Sequence, residues 1–196
     1  TEWNPEKPHS DYAISKYGAE MEIWRGQQEG LDVVIVNPGV ILGPAVDAQD
    51  WKTGSREIFS RVAKGLPFYT KGSAGFTTVN DVVKIMVWLM NSDIIGTRFI
   101  VVSKNITFEK ILTAIAEALQ VKPPFLYGKP WMTNVGWRID WFASLFGRKR
   151  TLSRMMAQTL HNAELFSNEN IKKVMDYKFE DLDDYIKLIA AQYPKK

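Results

Sequence analysis

The chain has 196 residues, of which 45% are hydrophobic and 12% aromatic, and this composition excludes a disordered chain. Its net charge of +3 is mild and its two histidines lie far apart, so we expect neither a nucleic-acid partner nor a metal site. The absence of cysteine excludes disulfides, and no secretory signal or membrane-length apolar run is present, so we expect a cytoplasmic protein.

The first predicted elements are a helix over residues 10–29 and a strand over residues 31–37. Ser10 or Asp11 caps the helix after Pro8, and Gly30 ends it. The strand is a continuous β-branched run of the kind buried on both faces of a parallel sheet. Pro38-Gly39 ends this strand.

Strands and helices continue to alternate up to residue 120. The sequence predicts a helix over 55–64, strands over 68–70 and 76–79, a helix over 81–91 with Asn80 or Asp81 as cap, a last clear strand over 97–102, and a helix over 107–119 capped by Thr107. This alternation predicts an α/β fold with a parallel sheet.

After Pro123-Pro124 the sequence predicts helices only. The first covers residues 131–146 and is crowded with aromatic residues, namely Trp131, Trp137, Trp141, Phe142 and Phe146. Shorter helices follow over 153–161, 168–175 and 182–192. We therefore expect a small, mostly helical second lobe. The Arg148-Lys149-Arg150 triplet is interpreted as a solvated helix end.

Tyr12 and Lys16 are four residues apart on the first helix, so their side chains share one face. A phenol is a poor acid–base catalyst at neutral pH, but a cation held beside it favours the phenolate. The same ammonium group can donate hydrogen bonds to ribose hydroxyls. By spacing alone, a surface tyrosine beside a lysine is the favoured interpretation of the pair.

Four segments, in the same order, carry a resemblance to a known family. They are residues 12–20 (YAISKYGAE), 36–44 (VNPGVILGP), 76–83 (FTTVNDVV) and 168–177 (NENIKKVMDY). Together they resemble the extended short-chain dehydrogenases/reductases, nearest to the dihydroflavonol-reductase-like and hydroxysteroid-dehydrogenase-like branch. The segments correspond to the active-site helix, the next strand and its turn, a strand-to-helix motif, and a late segment that usually ends in Leu-Gly-Tyr.

The resemblance implies an oxidoreductase that uses NAD or NADP. Tyr12 would be the general acid/base, and Lys16 its electrostatic partner and a ribose ligand. The Pro38-Gly39-Val40 turn would place backbone groups against the nicotinamide, although Pro-Gly is also common in plain turns. Asn37 could face the substrate or make a structural hydrogen bond. Asp81 is interpreted as a helix cap.

The family pattern also predicts the division of the chain. Residues 1–122 would be the C-terminal part of a Rossmann-like NAD(P)-binding domain, and residues 123–196 the helical substrate-binding lobe. No Gly-x-Gly pair occurs, so no phosphate-binding loop is present in this sequence, and no initiator methionine opens it. We therefore expect the C-terminal portion of a longer protein, inactive by itself.

Two alternatives to the oxidoreductase remain open: a sugar-nucleotide epimerase or dehydratase, and a non-catalytic dinucleotide-binding scaffold. The aromatic helix is expected to pack on the core or line the cleft for an apolar or ring-bearing carbonyl or alcohol substrate, and a membrane-surface role is the less favoured reading. Ile14, Tyr17, Met21 and Trp24 form a stripe roughly opposite the catalytic pair. In the family this helix pairs with a second subunit, so we expect a homodimer.

Overall fold

The computed structural model describes residues 10–47, 49–147 and 151–194. The helices are α1 (Asp11–Gln28), α2 (Glu57–Ala63), α3 (Val79–Met90), α4 (Phe108–Ala118), α5 (Pro130–Ser144), α6 (Arg154–Thr159), α7 (Glu169–Val174) and α8 (Leu182–Ala191). The strands are β1 (Val34–Pro38), β2 (Val40–Leu42), β3 (Phe68–Tyr69), β4 (Ser73–Thr78), β5 (Thr97–Val101), β6 (Lys104–Thr107) and β7 (Leu126–Tyr127). The predicted α/β class is confirmed. The Arg148-Lys149-Arg150 triplet lies outside the described residues.

Parallel pairing dominates the strands. β1 pairs with β5 from Val34 opposite Thr97 to Pro38 opposite Val101, and β2 pairs in parallel with β4. β6 adds an antiparallel strand to the other edge of β4, and β3 pairs in parallel with β7. β1 and β2 are separated only by Gly39, so the chain changes its neighbour from β5 to β4 at that residue.

Three of the sequence predictions for the strands were wrong. β5 is not the last strand, because β6 and β7 follow it. β6 has only one buried residue, Ile106, and β7 has two residues, so neither produces a strong hydrophobic pattern. β1 begins three residues later than predicted, because the Leu31 N–H still bonds to the Gly26 carbonyl at the end of α1. It is half-buried rather than buried on both faces.

The helix starts follow from their capping residues. Ser10 Oγ accepts a hydrogen bond from the Ala13 N–H at 3.1 Å, and Thr107 Oγ1 accepts one from the Lys110 N–H at 3.3 Å. Each bond satisfies an amide that has no partner within the first turn of its helix. Both caps were predicted from the sequence.

The buried side chains form two clusters. The first joins α2, α4 and α8 to the β2–β4–β6 strands, and it contains Phe59, Ile111 and Ile186, all fully buried. The second joins α3 and α7 to β1 and β5, with Ile85 and Ile171 fully buried. Helices beyond residue 122 thus contribute to both clusters, and the division into two domains at that residue stays a prediction. Within the described ranges, no helix has the length and apolar character that crossing a bilayer requires.

Candidate active site

Tyr12 and Lys16 lie on the open side of α1. Most of the half-buried residues of this helix recur every three or four positions and form its inner side: Ala13, Tyr17, Glu20, Trp24 and Gln27. Tyr12 and Lys16 each precede a half-buried residue, so they lie at the flank of the inner side, about one helical turn apart. The Tyr12 side chain is 76% exposed, and its hydroxyl is accessible to an incoming molecule.

The predicted apolar stripe of α1 is divided in the structure. Tyr17 and Trp24 are half-buried, whereas Ile14 and Met21 are exposed. α1 contains no buried residue at all. The homodimer expected from this stripe stays a prediction.

Glu20 fastens α1 to the sheet. One of its carboxylate oxygens, Oε1, accepts hydrogen bonds from Arg98 Nη1 on β5 at 2.9 Å and from Trp24 Nε1 at 3.3 Å. The other, Oε2, accepts one from Asn37 Nδ2 on β1 at 3.2 Å. Burial alone would raise the pKa of Glu20, but the bonds from Arg98, Asn37 and Trp24 together lower it.

The contact with Glu20 also shows what the Asn37 side chain bonds to. The Asn37 amide, at the carboxyl end of β1, donates a hydrogen bond to Glu20 of α1, as the structural alternative expects. Its substrate-facing role stays a prediction. Glu20, one turn beyond Lys16 on α1, thus contacts the carboxyl end of β1, the end of the strand at which ligands bind in sheets of this kind.

The Pro38-Gly39-Val40 segment is a tightly packed junction rather than a simple strand end. The Gly39 N–H bonds to the Val101 carbonyl at 3.1 Å, and Val40 then pairs with Phe76. A Cβ at Gly39 would overlap the Gly75 carbonyl group, at 2.8 Å from its carbon. Glycine is therefore required here by backbone packing. Pro38 and Val40 are exposed on either side, and their predicted contact with a nicotinamide remains untested.

Asp81 has a different place from the one predicted for it. Thr78 caps α3, because its hydroxyl accepts the Asp81 N–H at 3.0 Å, so neither Asn80 nor Asp81 is the cap. The fully buried Asp81 carboxylate accepts hydrogen bonds from the Tyr177 hydroxyl at 2.7 Å and the Glu180 N–H at 3.1 Å. Burial and this bond to Asp81 raise the pKa of Tyr177. Two of the four resembling segments, 76–83 and 168–177, thus meet at one buried contact.

The aromatic helix α5 does not pack its aromatic side chains into the core. Trp131, Trp141, Phe142 and Phe146 are all exposed, and Trp137 is half-buried. The expectation of a core role for these side chains is therefore wrong. The reason is that α5 uses small and polar residues for its contacts with α6, as described below.

The described residues fit one half of a dinucleotide better than the other. Exposed Lys16, Pro38 and Val40 lie around the carboxyl end of β1, where a ribose hydroxyl and a nicotinamide amide would find donors and acceptors. A pyrophosphate needs a glycine-rich turn at a helix N-terminus, and this sequence has no Gly-x-Gly pair. The fit is thus limited to the nicotinamide side.

The strand pairing and the position of α1 define a Rossmann-like α/β protein. A family model described as the NAD dependent epimerase/dehydratase family matches residues 1–101, and the chain belongs to this family. The predicted family is thereby confirmed.

Curated relatives include reductases and a sterol-modifying protein. The chain is 31% identical over 114 residues to sterol demethylase protein B of Methylococcus capsulatus, covering 58% of this chain and 34% of the relative. It is 32% identical over 124 residues to a Synechocystis sp. protein provisionally named dihydroflavonol 4-reductase, covering 61% and 35%. The chain thus spans about a third of the length of these relatives.

Solved structures share the fold over nearly the whole chain. The structure of gox2253 has a TM-score of 0.72 at 25% identity, covering 96% of this chain and 59% of that one. UDP-glucose 4-epimerase of Thermus thermophilus, in complex with NAD, has a TM-score of 0.62 at 17% identity, covering 97% and 59%. RMD of Pseudomonas aeruginosa, complexed with NADPH, has a TM-score of 0.60 at 18% identity, covering 97% and 59%. The prediction of NAD or NADP as the family's cofactor is confirmed.

Glu20 is the site residue to which the sequence assigned no role. Its position in the resembling segment 12–20 was the only available signal. Its partners on the strands, Asn37 and Arg98, are 17 and 78 residues away along the chain, and no local pattern indicates them.

Proposed function

We propose that this chain carries the proton-transfer residues of an NAD(P)-dependent oxidoreductase that interconverts a carbonyl compound and a secondary alcohol. The observation that supports this most directly is the position of Tyr12 and Lys16 on a helix that Glu20 ties to the carboxyl end of β1. Two of the relatives above 30% identity carry the name of a reductase, whereas the epimerase structures resemble this chain in fold alone, and this difference supports a reductase.

In this proposal the Tyr12 hydroxyl donates a proton to the substrate oxygen during reduction and accepts it during oxidation. The bound dinucleotide supplies or accepts the hydride. The Lys16 ammonium, one turn away on the same face, stabilises the negative charge that remains on the Tyr12 oxygen, and donates to a ribose hydroxyl. Pro38, Gly39 and Val40 would orient the nicotinamide, and Asn37 is proposed to lie near the substrate.

Glu20 would act as a positioning residue in this site. Its contacts with Asn37 and Arg98 set how far α1 can move along the edge of the sheet. The distance between Tyr12 and any group bound at Pro38–Val40 depends on that setting. A misplacement of about 1 Å is enough to slow an oriented reaction roughly a hundredfold.

The experiment replaces Tyr12 by Phe in the full-length gene product. We expect turnover of a responsive ketone to fall by about 10²–10⁴-fold, the usual contribution of a general acid, while the affinity for NADH or NADPH changes little. Cofactor oxidation would be followed by absorbance with ring-bearing ketones and with nucleotide sugars as separate substrate panels. The matched control is Tyr17→Phe, which removes a phenol from another side of the same helix.

Each result decides between the candidate functions. Turnover by the Tyr12→Phe protein at the unsubstituted rate would contradict the proposed role of Tyr12. Activity with nucleotide sugars and none with ketones would favour the epimerase or dehydratase. Cofactor binding without turnover of either panel would favour the scaffold.

A further inference from the structure

Helix α5 is oriented with most of its large apolar side chains away from the protein. Its half-buried or buried side includes the small or polar residues Thr133, Gly136, Asp140 and Ala143, together with Met132 and Trp137. Thr133 Oγ1 lies 2.8 Å from His161 Nε2, and the Asp140 carboxylate accepts the N–H groups of Thr151 and Leu152 at 2.7 and 2.8 Å. These contacts fix which side of α5 faces α6.

The outer side of α5 is a continuous apolar strip. Trp131, Val135, Ile139 and Phe142 recur every three or four residues, and Phe146 continues the strip in the turn after the helix. Their side chains are between 47% and 77% exposed. Soluble surfaces rarely expose apolar side chains in such a contiguous row, so the strip indicates a binding surface.

The charges around α5 indicate what kind of surface this strip meets. Residues 121–163 contain seven of the 25 basic residues and one of the 22 acidic residues of the sequence. The single acid, Asp140, is buried and used by its hydrogen bonds to the residues after the helix. Lys129, Arg138 and Arg154 are exposed. A partner with negative charge is therefore favoured at this part of the molecule, whereas the rest of the sequence is net acidic.

We propose that the outer face of α5 lies in the headgroup region of an anionic lipid bilayer. Tryptophan and phenylalanine at both ends of the strip suit the boundary between headgroups and acyl chains, and exposed Lys and Arg bind anionic headgroups. The 15-residue helix is about 22 Å long, too short to cross a hydrocarbon core of about 30 Å. It therefore lies along the surface.

Helix α3 provides an internal comparison. It also exposes apolar residues, namely Val83, Met86, Val87 and Met90, on one side. This strip contains no aromatic residue, and the neighbouring Lys84 is paired with Glu180 at 2.9 Å. It offers a similar apolar area without the aromatic and cationic features of α5.

The test is co-sedimentation of the 196-residue chain with phosphatidylcholine vesicles prepared with and without phosphatidylglycerol. We expect binding to the anionic vesicles that weakens as salt is added. The triple change Trp131→Ser, Phe142→Ser and Phe146→Ser should reduce binding by more than about tenfold, because three aromatic side chains no longer enter the bilayer. The double change Arg138→Gln and Arg154→Gln should reduce binding to the anionic vesicles about fivefold for each cation removed.

The matched control is the triple change Val83→Ser, Val87→Ser and Met90→Ser on α3, which should leave vesicle binding unchanged. Circular dichroism establishes that each variant is folded before its binding is compared. Failure of the unsubstituted chain to bind anionic vesicles would overturn the proposal, as would equal loss of binding by the α3 and α5 variants. If the unsubstituted chain does not bind vesicles but forms a dimer, and only the α5 variant disrupts this dimer, then the partner is a second copy of the chain instead.

Discussion

Glu20 is the residue on which the geometry of the candidate site depends most. Its carboxylate accepts hydrogen bonds from three donors, which lie on two strands and on its own helix, and so joins α1 to the sheet. Its side chain is only 15% exposed, so these bonds are weakly screened by solvent. The lowered pKa of Glu20 records the same interactions as a preference for the charged form.

This preference predicts a pH dependence of stability. Because the pKa of Glu20 is lowered on folding, its contribution is fully present above the ordinary glutamate value of about 4.3 and is lost as the pH falls below it. Glu20→Gln mimics the protonated acid. In urea unfolding, the Glu20→Gln variant should therefore have a lower free energy of unfolding than the unsubstituted chain at neutral pH. This difference should become smaller at acid pH.

The control for Glu20→Gln is Glu22→Gln on the same helix. Glu22 is exposed and pairs only with Arg25 on the surface, where such pairs contribute little. Its loss should change stability by less than about 1 kcal/mol at either pH. A Glu20→Gln deficit that stays constant from neutral pH to acid would refute the titration argument.

At the scale of elements, the sequence predicted the starts of helices better than the partners of strands. Ser10 and Thr107 act through amides three residues away, so their role is visible locally. β6 was missed because it is held by its pairing with β4 and has only one buried residue, so its sequence shows no hydrophobic pattern. Asp81 was misassigned because its partner Tyr177 lies 96 residues away. The exposed side of α5 was missed since an apolar helix is ordinarily buried.

The packing of the junction between β1 and β2 can be tested by a substitution at Gly39. Gly39→Ala should destabilise the chain by about 3 kcal/mol, because its Cβ would overlap the Gly75 carbonyl and press on Val102. Chemical denaturation measures this difference.

The matched control for Gly39→Ala is Gly18→Ala. Gly18 lies inside α1 with nothing within 4 Å of an added Cβ, and alanine there should stabilise the chain by about 0.5–1 kcal/mol. Equal effects of the two substitutions, in size and sign, would show that the junction tolerates a side chain.

At the scale of the whole molecule, the candidate site fits only the nicotinamide side of a dinucleotide. The described residues provide the proposed Tyr12–Lys16 pair and the carboxyl end of a parallel strand, but the sequence has no glycine-rich turn for a pyrophosphate. The resemblance predicted the family and the fold class correctly. It could not predict the contacts that join α1 to β1 and β5, because these contacts are made by residues far apart in sequence.

A site limited to this side predicts weak cofactor binding by the 196-residue chain. Most of the charge recognition of a dinucleotide falls on its phosphates, so fluorescence titration with NADH or NADPH should not saturate in the micromolar range. The full-length gene product, titrated in parallel, should bind the cofactor tightly. Nanomolar affinity of the 196-residue chain would be incompatible with a site limited to the nicotinamide side.

The buried contact between Asp81 and Tyr177 has a consequence for the order of folding. The buried Asp81 carboxylate comes early in the sequence, while the Tyr177 hydroxyl that donates to its Oδ1 atom is synthesised 96 residues later. Closing so long a loop is slow, and a nascent chain that ends before Tyr177 would have to bury Asp81 without this partner. We therefore expect the hydrogen bond to Asp81 to form only after α7 and the following Tyr177 have been synthesised.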